Sequence, residues 1–168
     1  MIFPFKERPS ADYHVRPRAF GSPRGATPQS PGGTRKHAGC DLYAEPGTEI
    51  LAVEDGVVTC AIYPFYDVVF AIEVRHPSGI VRYGEISHCA PGIAAGSQVK
   101  AGQVIAYVGK MKTVPQAMLH FEMYGGTGKG PLTDRTRAPF MRREDLVNPT
   151  AFLDGPPAKA ESSPALAA

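Results

Sequence analysis

No stretch of the 168 residues approaches the ~18 consecutive apolar positions that a membrane-spanning helix needs. The opening segment from Met1 to Tyr13 lacks the apolar core of a secretory signal, so the expectation is a soluble chain made in the cytoplasm without a signal peptide, whatever its destination. Charge of one sign is also scarce: 18 Lys and Arg stand against 16 Asp and Glu, a net charge of +2. Nucleic-acid binding calls for a basic face or stripe, and this balance does not supply one. Cysteine is limited to Cys40, Cys60 and Cys89, with no Cys-x-x-Cys pair. Three thiols cannot all pair within one chain, so they read as reduced, mostly buried small apolar groups and not as a disulfide framework. No internal repeat occurs, and the central region shows no helical period of useful length.

What the sequence does have is turns and short β-branched runs. Eighteen glycines and 17 prolines punctuate the chain. Ile50-Leu51-Ala52-Val53, Gly56–Ile62 and Val68–Arg75 are strand-length segments rich in Val and Ile. Pro46-Gly47, Glu54-Asp55-Gly56 and Pro77-Ser78-Gly79 bound them as turn signals, and Ile80–Ile86 reads as the return arm of a hairpin. Gln98–Lys100, Gln103–Val108 and Met118–Tyr124 are three further candidate strands. The expected fold is an all-β domain, an antiparallel sheet or sandwich. Its length suits one domain, spanning 37–154, behind an irregular N-terminal arm over 1–36 and ahead of a Pro/Ala/Ser-rich tail over 155–168 that is expected to be disordered. Within the domain, Arg137–Leu146 is a candidate short helix.

Two short motifs carry chemistry: His37-Ala-Gly-Cys-Asp41-Leu-Tyr-Ala44, and Leu119-His120-Phe121-Glu122 on a predicted strand. Zinc takes imidazole nitrogen and carboxylate oxygen at about 2.0–2.2 Å, and two nitrogens with one carboxylate leave a fourth position for water. That is the catalytic pattern, in which the metal lowers the pKa of its water to about 7 and polarises a carbonyl. Each motif alone is unspecific, since a lone His-x-x-x-Asp is usually surface polarity and a lone strand histidine usually structural. Their joint occurrence, in order with the intervening strands, is informative.

The run from His37 through Pro46-Gly47-Thr48, Ile50, Ala52 and Asp55-Gly56-Val57-Val58 resembles the opening of the lysostaphin-type metallopeptidases, the M23 or LytM-type family. Val74-Arg-His76-Pro-Ser-Gly79, Tyr83-Gly-Glu85, Gly96–Gly109 and Leu119-His120-Phe121-Glu122 extend the resemblance, which runs in order from about Phe20 to Tyr124. It implies an antiparallel β-core whose groove holds one zinc ion, and cleavage of peptide bonds in bacterial cell-wall peptidoglycan. It assigns the metal to His37, Asp41 and His120. The partner it implies is a stem or cross-link peptide of peptidoglycan, reached by lysis or through a secretion system, with a monomer as the default.

Two departures from the family pattern matter. Where the family has His-x-His-Phe-Glu, this chain has Met118; where it has Tyr-x-His, this chain has Tyr83-Gly84-Glu85. Residues 118, 120 and 122 share a strand face, so Met118 points towards the metal, and a thioether cannot donate to a developing oxyanion. Loss of one such donor typically costs ~2.7–4 kcal/mol. Tyr43, Lys110, Lys112, Tyr124 and the N-terminal arm are candidate substitutes. Glu85 is the candidate general base, or else a fourth ligand that plugs the catalytic position; His88 is a second candidate base, although strand parity sets it opposite Glu85. His76 reads as a hairpin residue, His14 has no assignable partner, Cys40 is expected to point away from the metal, and Glu122 is expected to be structural. The functional expectation is a zinc-dependent peptidoglycan endopeptidase. Its alternative is a catalytically inactive zinc-binding relative that acts as a wall-binding or regulatory module.

Overall fold

A computed structural model describes residues 1–26 and 32–155, so the expected disordered tail beyond Gly155 lies outside the described residues. Among the described residues ten strands form one sheet: β1 (Cys40–Tyr43), β2 (Glu49–Leu51), β3 (Gly56–Val58), β4 (Tyr63–Tyr66), β5 (Val69–His76), β6 (Gly79–Cys89), β7 (Gln98–Val99), β8 (Val104–Val108), β9 (Met118–Tyr124) and β10 (Leu146–Val147). The main path runs β1-β9-β6-β5-β3-β7; β4 joins β5, β10 joins β9, and β8 bridges β6 to β2. Every strand pairing described is antiparallel. The Pro77-Ser78-Gly79 turn closes the β5–β6 hairpin, in which His76 pairs with Gly79.

Strand alternation sorts the side chains of β9. Leu119, Phe121 and Met123 enter the main apolar core with Ile72 and Val74 of β5 and Val81 and Tyr83 of β6. Met118, His120, Glu122 and Tyr124 take the other face and are buried as well. Covering that second face with polar groups requires an extensive hydrogen-bond network, because unpaired polar groups out of water are costly; here Arg82 Nε alone of its guanidinium nitrogens lacks a partner. The network is what positions the site.

Residues 1–26 carry no strand, yet they pack onto the domain. Phe5 and Tyr13 belong to the main core, and Leu51 and Ile2 donate backbone hydrogen bonds to the Pro4 and Val53 carbonyls. The short helix expected over Arg137–Leu146 does not form. Those residues make turns and an isolated bridge between Thr133 and Arg142. Pro139 withholds an amide and disfavours α geometry at Ala138, while Arg142 and Arg143 are drawn to the buried carboxylates of Glu122 and Asp145. The one helix among the described residues is α1 (Thr150–Asp154), which buries Leu153 and stacks Phe152 on Phe121.

Candidate metal centre and active site

Asp41 and His120 lie directly opposite each other in the β1–β9 pairing, so their side chains leave the same face at adjacent positions. His37 stands just before β1. Its backbone is fixed by hydrogen bonds in both directions with Ser22 and Gly21, beside the bridge between Pro23 and Lys36. The result is a tight cluster. His37 Nε2 is 2.9 Å from Asp41 Oδ1, His120 Nδ1 is 2.8 Å from the same oxygen, and the two ring nitrogens are 3.1 Å apart.

The outward-facing ring nitrogens are already committed. His37 Nδ1 lies 3.0 Å from the Ala19 carbonyl, and His120 Nε2 lies 2.9 Å from Glu122 Oε1. If each of these nitrogens carries its ring's proton, His37 Nε2 and His120 Nδ1 turn lone pairs towards one another and towards a carboxylate oxygen. Three acceptors at hydrogen-bond distance need a positive charge between them. A proton on His120 can supply it: burial works against the imidazolium, but Asp41 and Glu122 outweigh burial and push its pKa up to about 10. Burial likewise opposes ionised Asp41, yet hydrogen bonds from His120 and His37 hold its carboxyl far below the usual range. A divalent cation satisfies the same three acceptors, and all the ligand atoms lie within 4.8 Å of one another. The donor set therefore fits zinc, with both rings oriented by partners behind them.

Glu122, expected to be structural, is fully buried and holds that orientation. Arg82 Nη1 (2.9 Å) and the Tyr124 hydroxyl (2.5 Å) donate to one of its oxygens, while Arg142 Nε (2.8 Å) and His120 share the other. Burial alone would raise its pKa; Arg142 and Arg82 reverse that and keep it ionised. Asp41 is held from its free side by Arg24, whose Nη2 reaches Oδ2 at 3.2 Å while Nη1 donates to the Pro17 carbonyl at 2.7 Å.

The cluster opens onto a cavity of about 270 Å³ whose lining includes Glu85, Met118, Tyr43, Tyr66, Arg24 and Arg35. Glu85 owes its place there to a bulge. Ala71 pairs with Gly84 and Phe70 with Ile86, leaving Glu85 as the extra residue, at φ +63°. A non-glycine residue in left-handed geometry costs of order 1 kcal/mol and is found where surroundings enforce it. Here the enforcing contact is Gly109, whose amide donates to the Glu85 carbonyl at 2.8 Å and whose missing side chain leaves room for that backbone. Glu85 is 6% exposed, and burial is the main reason its carboxyl is pushed up to about 7. Gly84, paired with His120, likewise makes room for Phe65: a Cβ there would sit 2.7 Å from the ring.

The other candidates fall elsewhere. His88 is exposed, stacked on Tyr107 at 4.8 Å and hydrogen-bonded to Ser87, away from the cavity lining. Tyr124 is turned into the Glu122 network, Lys110 bonds the Val114 and Pro115 carbonyls, and Lys112 is exposed; none of the three lines the cavity. Of the proposed oxyanion donors, Tyr43 lines it, as do Arg24 and Arg35 of the arm. His76 bonds the Asp55 carbonyl and the Tyr83 hydroxyl, His14 sits between Asp12 and Asp154, and Cys40 is buried in the core. Sequence reasoning missed Tyr66, Arg24 and Arg35. Tyr66 follows Pro64 in a segment without strand alternation, and the two arginines lie in an arm without periodicity.

The sequence model of peptidase family M23 matches residues 35–132, more than half of the chain. The catalytic domain of lysostaphin, the antimicrobial peptidase from Staphylococcus simulans, superposes with a TM-score of 0.56 at 22% identity, over 82% of this chain and 92% of that one. LytU superposes with a TM-score of 0.53 at 25% identity, over 86% and 90%. A zinc-containing peptidase from Vibrio cholerae gives 0.52 at 23% identity, over 73% of this chain and 36% of that one. No curated protein matches by sequence.

Proposed function

The chain belongs to peptidase family M23, and from that premise we propose that it is a zinc-dependent endopeptidase that hydrolyses peptide bonds of bacterial cell-wall peptidoglycan. The observation that carries this reading is the cluster of His37 Nε2, Asp41 Oδ1 and His120 Nδ1, with both rings tied from behind, opening onto a groove that holds a buried carboxylate. A zinc ion bound there supplies Lewis-acid polarisation of the scissile carbonyl and an acidified water.

The chain's own residues do the rest. Glu85 accepts a proton from the nucleophile at its carboxylate. Burial keeps that group weakly solvated and pushes its pKa up to about 7, which suits a proton acceptor working near neutral pH. Tyr66 takes the part of an electrophile. Its hydroxyl oxygen accepts from Arg142 Nη2 at 3.1 Å, which leaves its own proton for a developing oxyanion in the groove. Partial burial opposes the phenolate, but the Arg142 guanidinium beside it works the other way and helps to lower the Tyr66 pKa, strengthening it as a donor. Met118, with Met111 and Val114, gives the same cavity its apolar lining. Delivery to the wall by lysis or a secretion system belongs to the same proposal.

The test is digestion of purified sacculi with zinc-loaded wild-type, Glu85→Gln and His120→Ala protein. Zinc-dependent release of peptide fragments, reduced about 10²–10⁴-fold by Glu85→Gln while one zinc equivalent stays bound, is the expected outcome. One zinc equivalent with no release from wild type favours the second reading, a wall-binding module, which the replacement of both family histidines by Met118 and Glu85 motivates.

A further inference from the structure

A second cavity of about 300 Å³ adjoins the metal site and is walled by Arg35, Arg135, Arg142, Tyr63, Phe65 and Tyr66, with no carboxylate among its lining residues. Arg35 and Tyr66 line both cavities, so the two are neighbouring compartments of one groove. The three guanidinium groups differ in status. Arg142 is engaged by Glu122 and by the Tyr66 hydroxyl, and its charge is balanced from behind. Arg35 and Arg135 make no ion pair or side-chain hydrogen bond among the described residues, whereas Arg24 on the far wall is held by Asp41 and Pro17. Arg35 lies close enough to Tyr66 to contribute to lowering its phenol pKa. Asp41 and Glu85, the acidic groups of the metal compartment, sit on the cluster's side of the groove and leave this pair of cations uncompensated.

A guanidinium presents a planar fork of donors that matches a carboxylate; Arg35 is half-buried and Arg135 exposed, so the pairing they offer is sensitive to salt. The geometry points to a carboxylate-binding compartment: we propose that Arg35 and Arg135 select a peptide bearing a free carboxylate within about two residues of the bond cut, a reach set by ~3.3–3.6 Å per extended residue. The inference rests on the endopeptidase reading for what occupies the metal compartment. It adds that the substrate is acidic and not an uncharged glycine bridge. Tyr63 and Phe65 wall the compartment with apolar surface, and the Tyr63 hydroxyl is already used on Glu73, so they contribute shape more than polarity.

Two wall-stem peptides test it, identical except that one has free side-chain and terminal carboxylates and the other carboxamides. Each is titrated calorimetrically into the zinc-loaded chain, wild type and Arg35→Gln/Arg135→Gln, and cleavage is followed in the same samples. The carboxylate peptide is expected to bind wild type about 10- to 100-fold tighter, the range for hydrogen bonds to a charged group. That preference should shrink with added salt, vanish in the Gln double variant, and return in part with Arg35→Lys/Arg135→Lys, which also controls for misfolding. Equal binding of the two peptides, or a preference that survives the Gln double variant, overturns the compartment. Preferential binding without cleavage leaves the compartment standing and removes the hydrolase; cleavage of both peptides with equal kcat/KM does the reverse.

Discussion

Glu122, itself fully buried, serves one oxygen to His120 and Arg142 and the other to Arg82 and the Tyr124 hydroxyl. Two arginines against one carboxylate would leave excess charge, and Glu73, 3.2 Å from Arg82, supplies the second anion. The function of the network is orientation: His120 can offer Nδ1 to a metal only while Nε2 is held behind it. Replacing Glu122 with Gln keeps the shape and removes the charge, so zinc affinity is expected to fall about 10–100-fold in a chelator competition, with near-native secondary structure retained. Wild-type affinity in that variant would assign the buried carboxylate to folding alone. The residue types of the cluster are visible in the sequence. The ring of partners behind them is not, because Arg82 and Arg142 meet Glu122 only after β6, β9 and the loop that carries Arg142 have packed.

At the scale of elements, β1 is four residues long yet carries a ligand and core residues on alternate positions. It can pair with β9 at close range because Gly39 lies against Phe121; a Cβ there would sit 2.4 Å from that carbonyl oxygen. The obstacle is backbone and cannot swing away. Gly39→Ala should therefore displace β1, cost at least about 1–3 kcal/mol in urea unfolding, and weaken zinc binding through Asp41. The loop after β9 depends on Asp145, which accepts from the amides of Gly126 and Gly128 and pairs with Arg143. Burial opposes its charge, but Arg143 and those amides bring its pKa down to about 2 from the ordinary 3.8. A depressed carboxylate stabilises the fold above its unfolded pKa and stops doing so as pH falls through the folded one. Asp145→Asn is thus expected to cost about 1–2 kcal/mol at pH 6, with the gap to wild type closing between pH 4 and pH 2 in parallel denaturant titrations.

At the scale of the whole molecule, the irregular arm and the sheet share a core, since Phe5 and Tyr13 pack with residues of the central strands. The arm also anchors His37 through Ala19, Gly21 and Ser22, and it brings Arg24 to Asp41. Phe5→Ala should accordingly lower stability by about 3–5 kcal/mol, read as a shift in urea midpoint. A midpoint unchanged from wild type would mean that the arm rests on the domain without stabilising it. Because the arm supplies both packing and groove wall, its truncation is expected to affect metal binding as well as folding.

By itself the sequence determined strands at β2, β3, β5, β6 and β8 through their β-branched content and bounding turn residues, and it marked β7 and β9 as further short strands. The ordered motifs around His37, Asp41 and His120 also carried the family resemblance. Strands β1, β4 and β10 were not legible: they are short, β4 contains Pro64, and all are made by pairing and not by local preference. The resemblance set Glu85 beside the metal, but only the tertiary structure decided how it reaches the groove. Alternation assigns faces on the assumption of an unbroken period of two, and the bulge at φ +63° breaks it. The same holds for the convergence of Asp41 and His120 across 79 residues, and for Arg35 and Tyr66 meeting at one wall. Register between distant strands is set by the packing of the whole core, which no local window contains.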